Sequence, residues 1–336
     1  MFPQRRARCA LTALACFALC ACGGASLTRV VTADSQLPPS VELRSVPFHP
    51  QTEYQCGPAA LATSLGASGV AVAPEDLVGR VFVPQLQGSL QAEMIAAIRG
   101  YDRLAYLVEP DLAALVATLA EGWPVLVLQN LGVDAVPFWH YAVVVGYDVQ
   151  RDRILLRSGE HERLALSTRR FEGSWRRAQH WGVVIVKPDD LPASARAEAV
   201  LQAAAGLESA QHLDAALAAY GAAAQRWPNE VVAQLGLGNV HYRQGRLAEA
   251  EVAFRALLSR EPDHAVARNN LAQVLLEQGR PEEALREVEA ARAALGEGTT
   301  PIGDRGGRIR DPRVAQALAA TESAIRAALS ERAARP

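Results

Sequence analysis

Cys56, in the run Gln51-Thr52-Glu53-Tyr54-Gln55-Cys56-Gly57-Pro58-Ala59-Ala60-Leu61, is the residue of this chain best suited to covalent chemistry. The other four of its five cysteines lie within the first 22 residues, and export would remove all of them but Cys22. A thiol left alone in an oxidising compartment has no partner for an intramolecular disulfide, so nucleophilic chemistry is its natural use. Pro58 suits the first turn of a helix and residues 59–65 read as a helical run, which puts Cys56 at a helix N-terminus. Unpaired N–H groups and the positive end of the dipole favour a thiolate there. An unperturbed thiol, with a pKa near 8.5, is only about 3 per cent ionised at pH 7, and a mostly ionised one needs roughly 2.7 kcal/mol of differential stabilisation. A helix end offers less than that, so a nearby imidazolium is expected to provide the remainder.

The candidate partner is His140, in Trp139-His140-Tyr141-Ala142-Val143-Val144-Val145-Gly146-Tyr147-Asp148. The segment is β-rich, and residues 125–128 and 154–156 read as neighbouring strands. A histidine at the beginning of a strand can face the N-terminus of a helix packed on the sheet, as a Cys-His pair requires. Asp148 is too far along the strand to orient that ring, since eight residues span about 26 Å. The remaining candidates have plainer readings. His161 reads as a polar strand end, His180 with Trp181 as a packed strand entrance, and His49, between Pro47 and Pro50, as part of an extended approach segment outside the cleft. Trp123, Trp139 and Trp175 read as core residues. No group of histidines and cysteines has metal-ligand spacing, and no cofactor is expected.

The Cys-Gly-Pro-Ala helix start with an upstream glutamine, and the block from His140 to Gly146 that begins 84 residues later, together resemble the cysteine-peptidase family 39. These are papain-like peptidases best known for cutting leader peptides after double glycine in bacteriocin exporters. The chain looks closer to the stand-alone, lipoprotein-borne branch that carries tetratricopeptide repeats. The resemblance covers residues 46–188 and implies an α+β papain-like fold. It further implies Cys56 as nucleophile, His140 as general base and then general acid, and Gln51 as a side-chain oxyanion donor beside the Cys56 N–H. Two positions depart from the pattern. The exporter peptidases commonly carry their glutamine where this chain has Pro50, so Gln51 or Gln55 must take that role, and Gln51 is favoured because Gln55 adjoins the nucleophile. The orienting acid is replaced in Leu155-Leu156-Arg157-Ser158-Gly159, where Ser158 aligns best and would hold the imidazole by a neutral hydrogen bond.

The elements around this domain have their own signatures. Residues 1–21 carry Arg5, Arg6, Arg8 and a short apolar run, which reads as a secretory signal. Its end, Leu19-Cys20-Ala21-Cys22, resembles a lipobox and implies lipidation of Cys22, with an outer-membrane location facing the periplasm. Residues 22–45 read as a tether, 46–190 as the peptidase-like domain, and Lys187-Pro188-Asp189-Asp190-Leu191-Pro192 as the boundary. Beyond it the chain becomes rich in Ala, Leu, Glu and Arg, with markers repeating every 34 residues: Ala216, Ala250 and Ala284; Tyr220, Phe254 and Val288; Gln211, Gly245 and Gly279. This matches the tetratricopeptide pattern. Repeats over 197–230, 231–264 and 265–296 are expected within an all-α unit spanning 195–331, closed by a capping helix. His212, His241 and His264 fall to packing or surface positions there.

Loss of the leader would leave 31 basic against 36 acidic residues, a net charge of −5 that gives no reason to expect nucleic acid. No later apolar run is long enough for a membrane helix, and no phosphate-binding Gly-x-x-x-x-Gly-Lys loop occurs, so ATP is not an expected ligand. The expectation is a lipid-anchored thiol peptidase whose repeats dock a peptide or protein. A catalytically inactive peptide-binding lipoprotein is the second reading, favoured by Ser158. An amidase or transferase using the same thiol is a third.

Overall fold

The computed structural model describes residues 26–34, 36–51, 55–296 and 312–334. The leader and Cys22 lie outside the described residues, as do residues 297–311 before the last helix. The N-terminal domain is α+β. Its sheet is antiparallel throughout, ordered β4 (Leu104–Leu107), β9 (Gly182–Val186), β5 (Val125–Asn130), β6 (Trp139–Asp148), β7 (Arg153–Ser158) and β8 (His161–Ser167). A short β1 (Ser40–Glu42) adds to the far end of β6, and β2 (Phe82–Val83) pairs with β3 (Gly88–Ser89) in a separate two-stranded ribbon.

The central strands are buried on both faces, which is why they read as unbroken apolar runs. Alternate residues serve two cores. Tyr141, Val143 and Val145 point to one side, where α2 (Cys56–Ala67), α3 (Pro74–Val81) and α4 (Gln91–Arg99) pack. Ala142 and Val144 point to the other, towards α1 (Leu27–Ala33), α5 (Leu112–Ala120) and α6 (Thr168–Arg176). Residues 57–65 of α2 are buried without interruption, so this helix has no polar face and is an internal element.

Within the segment read as a tether, the described residues 26–34 and 36–45 are docked on the domain. Leu27 of α1 is fully buried, and Val30 and Val31 pack on the same core. β1 pairs with β6, and the Tyr147 hydroxyl donates to the Pro38 carbonyl at 2.8 Å. Gly146 makes this possible, because a Cβ there would lie 2.1 Å from the Val41 carbonyl oxygen. The small, polar composition suggested a linker, but its few apolar residues are the ones that dock.

The C-terminal part is a stack of helices: α7 (Ala197–Ser209), α8 (Leu213–Arg226), α9 (Val231–Arg243), α10 (Leu247–Arg260), α11 (Ala265–Glu277), α12 (Pro281–Gly296) and α13 (Pro312–Ala333). Both repeating ring residues lie against glycines of α9, Tyr220 from the helix before it and Phe254 from the helix after it. A Cβ on Gly236 would come 2.4 Å from the Tyr220 ring, and one on Gly238 would come 2.3 Å from the Phe254 ring. Gln211, Gly245 and Gly279 each close a pair in the left-handed region, with φ of 65°, 72° and 75°.

The boundary segment does not separate two cores. Val200, Leu201, Ala204 and Leu207 of α7 join the same cluster as Leu104, Val184 and Val186 of the sheet. His212 Nδ1 lies 2.8 Å from Asp102 Oδ1, and Arg226 donates to the backbone carbonyls of Leu191, Pro192 and Ala193. Among the described residues no helix is long and apolar enough to cross a membrane.

Candidate active site

Cys56 is the first residue of α2, and Gln55 provides no side-chain cap, so the first N–H groups of the helix are left for the thiol. The backbone N–H groups of Tyr141, Gly57 and Cys56 itself act on the sulfur and favour its anion. Burial is the larger effect and pushes the thiol above its ordinary value. The expected thiolate is therefore not the resting form. Three N–H donors cannot offset the loss of water around a charged sulfur, although they stand ready for charge that develops later.

His140 sits at the start of β6, one residue before Tyr141, and is buried with 8 % of its surface exposed. Its Nε2 is 2.8 Å from the Ser158 hydroxyl at the end of β7. That contact leaves Nδ1 as the nitrogen available for chemistry, and burial holds the ring below its ordinary pKa, in the neutral state. Among the described residues no hydrogen bond joins the Cys56 thiol to the His140 ring. The link runs through Tyr141 at the sheet's end, where its backbone N–H serves the sulfur.

A narrow cavity joins Cys56 to Gln51, His49, Tyr141, Arg157 and Ser158. Gln51 is held there by its own N–H, which donates to the Gly159 carbonyl at 3.1 Å. His49 thus lines the cavity, contrary to the expectation of a segment outside it. Residues 47–50 are extended, but they are drawn over α2 because Pro47 settles on Gly66, where a Cβ would be 2.7 Å from the proline ring. Arg157, not singled out from sequence, is buried; its guanidinium donates to the carbonyls of Glu162 at 2.6 Å and Val46 at 3.2 Å. It fastens the approach segment to the β7–β8 end.

The other candidates are placed elsewhere. Asp148 binds Arg151 at 2.7 Å at the far end of β6. His161 is exposed, paired in register with Ser158. His180 Nε2 lies 2.7 Å from Glu172 Oε1, and its ring stands edge-on to Trp175. His264 caps α11 through Ala267 N–H. Trp175 is fully buried and Trp123 packs partly buried on the same core. Trp139 is 51 % exposed and does not belong to the core. It ends a loop, residues 131–138, that also exposes Val133, Val136 and Phe138. Asn130 Oδ1 holds this loop by accepting from the N–H groups of Gly132 and Phe138. Among the described residues no cluster of His, Cys, Asp or Glu could hold a metal ion.

Residues 43–182 match the family model described as the Peptidase_C39 like family. Residues 201–256 and 243–297 each match a model described as tetratricopeptide repeat. No curated protein matches the chain. Among solved structures, a C39-like peptidase from Bacillus anthracis aligns at 17 % identity and a TM-score of 0.38, covering 45 % of this chain and 98 % of that one. The Yersinia enterocolitica type III secretion chaperone SycD, solved with a peptide of the translocator YopD, aligns at 15 % identity and a TM-score of 0.34, covering 38 % of this chain and 91 % of that one. These structural likenesses are remote, and the family models assign the domains. The chain carries a C39-like peptidase domain followed by tetratricopeptide repeats.

Proposed function

We propose that this is a membrane-anchored thiol peptidase that cleaves a peptide or protein held on, or presented by, its repeats. The observation that carries the reading is Cys56 at the N-terminus of α2, served by three backbone N–H groups, one of them from Tyr141, the residue that follows a histidine whose Nε2 is fixed on Ser158. In the proposed reaction His140 takes the thiol proton as Cys56 Sγ adds to the scissile carbonyl. The developing oxyanion is met by the Cys56 N–H and the Gln51 side chain. Collapse breaks the C–N bond, His140 protonates the leaving amine, and a thioester remains for water to hydrolyse. A neutral thiol and a neutral imidazole are competent partners for this route, because the proton moves during attack. The apolar side chains exposed on the loop before His140, with Leu86 and Leu90 on the turn beside Ser89, suit a polypeptide with apolar residues near the cut. Lipidation of Cys22 would keep the domain at the membrane, in the periplasm.

The raised thiol, and the absence of a hydrogen bond from it to His140, favour a second reading, an inactive domain that binds peptides without cutting them. The two separate when the full chain is incubated with a mixture of unfolded polypeptides and new N-termini are identified by mass spectrometry. Cleavage lost in both Cys56→Ala and His140→Ala supports the peptidase. Identical patterns in all three proteins would leave the binding module.

A further inference from the structure

We infer that Arg157 is a positioning residue for the oxyanion donor Gln51, and that the consecutive residues Arg157, Ser158 and Gly159 form one mount for both halves of the site. The inference rests on the thiol-peptidase reading and concerns how that site is held. At the end of β7 each of these residues takes a different part. The Arg157 guanidinium donates to the Val46 carbonyl at 3.2 Å and to the Arg44 carbonyl at 3.5 Å, at the start of the segment that leads to Gln51. Ser158 Oγ lies 2.8 Å from His140 Nε2. The Gly159 carbonyl accepts from the Gln51 N–H at 3.1 Å. Gly159 has a φ of 61°, in the left-handed region, so this carbonyl is aimed by a turn that a side chain would strain. Residues 44–51 are thus fixed at both ends by the same tripeptide that fixes the imidazole.

Arg157 is 6 % exposed and, among the described residues, its guanidinium meets only backbone carbonyls. The strand register explains how it reaches them. Between the pairs Leu156–Leu164 and Ser158–His161, one residue of β7 faces two of β8. Such a bulge interrupts the ladder, and the Glu162 carbonyl within it accepts from Arg157 at 2.6 Å. A planar guanidinium spread over main-chain carbonyls of β8 and of the approach segment fixes the backbones themselves, in the geometry of its fork. A buried charge is a poor source of stability, because an apolar side chain of similar volume would pack as well or better. Placement of the backbone is what the arginine adds. The oxyanion donor needs that placement, since a shift of about 1 Å in a positioning group can cost about a hundredfold in rate.

The test compares two reactions of the same sulfur in the full chain carrying Cys22→Ser, after subtraction of the rate given by Cys56→Ser. The acetyl group of 4-nitrophenyl acetate passes to Cys56 through a tetrahedral oxyanion, with release of nitrophenol. Iodoacetamide alkylates Cys56 by displacing iodide and forms no oxyanion. In Arg157→Met the nitrophenol burst is expected to slow about a hundredfold, with alkylation at pH 7 unchanged, a split that general loosening of the fold would not give. Gln51→Ala is expected to show the same split, and the double variant to be no slower than Gln51→Ala alone. Arg157→Lys, whose ammonium lacks the fork, is expected to show the split too and serves in place of a methionine variant that does not fold. Both rates falling together, neither falling, or the losses of Arg157→Met and Gln51→Ala multiplying would overturn the role of Arg157 alone. An unaltered burst in Gln51→Ala would overturn it through Gln51. No Cys56-dependent burst in the chain without these substitutions would overturn the peptidase reading and this inference with it.

Discussion

The two faces of the central sheet are built alike and used differently. Both bury every second residue of the same strands, yet one face packs the helix that begins at Cys56 and the other packs the first helices of the repeats. On the Cys56 side, small residues let a proline-bracketed segment lie directly on α2. On the opposite side large rings fill the gap, with Trp175, Phe171 and Tyr147 fully buried. In the proposed function, chemistry and docking would therefore be joined through the thickness of a single sheet. A polypeptide bound on the repeats would be held by a body that shares its core with the peptidase-like domain.

The sharpest way to break this comparison is to remove the second body. Deleting residues 193–336 strips α7 and α8 from the shared core and exposes the surface they cover. The remaining domain is expected to be lost to aggregation, read by size-exclusion chromatography, whereas a soluble domain with a cooperative melt would show two independent cores. Next in size is Trp175→Ala, which empties the middle of the repeat-facing core. It should cost about 3–5 kcal/mol in denaturant unfolding of the full chain. Gly146→Ala forces β1 away from β6 and should cost about 1–3 kcal/mol. Faster hydrogen exchange confined to residues 40–42 and their partners would show that this segment is docked.

Ser158→Ala removes one buried hydrogen bond, worth about 0.5–1.5 kcal/mol, and frees the His140 ring. Ser158→Asp should raise the His140 pKa, read by NMR titration, because a carboxylate favours the cationic ring. The smallest effect is the pH dependence of stability. His140 is held below its ordinary pKa of 6.5, so its contribution is present above that pH and is lost as pH falls through the folded value. Cys56 is held above 9.0, so its contribution is present below that pH and is lost as pH rises through the folded value. Thermal stability should be flat between these limits. His140→Ala should soften the acid edge alone, and Cys56→Ser the alkaline edge alone.

Much of this was legible in the residues. The strand at His140 is an unbroken apolar run, α2 is announced by Cys-Gly-Pro followed by small helix formers, and the 34-residue period fixes the helix pairs. What sequence concealed depends on long-range packing. Nothing local in Val41 says that it closes the sheet's far end, since its partners are Gly146 and Tyr147, more than a hundred residues away. Trp139 looks like core because tryptophan usually is, but it follows a loop that Asn130 holds through Gly132 and Phe138, and its ring stays outside. His49 and Arg157 were missed as site residues for a related reason, because the fold alone brings the approach segment onto the β7–β8 end. The Cys56 titration followed the helix end in sequence, whereas burial decides it in the folded chain.

The most direct test of the central claim is the rate of Cys56 alkylation by iodoacetamide against pH, in the full chain carrying Cys22→Ser, with and without His140→Ala. If His140 is the base for this thiol, the rate should rise with a midpoint below 6.5, where the buried ring loses its proton, and His140→Ala should abolish that rise and slow labelling at pH 7 by about a hundredfold. Equal rates in both proteins, with one midpoint above 9.0, would show an isolated buried thiol and contradict the account.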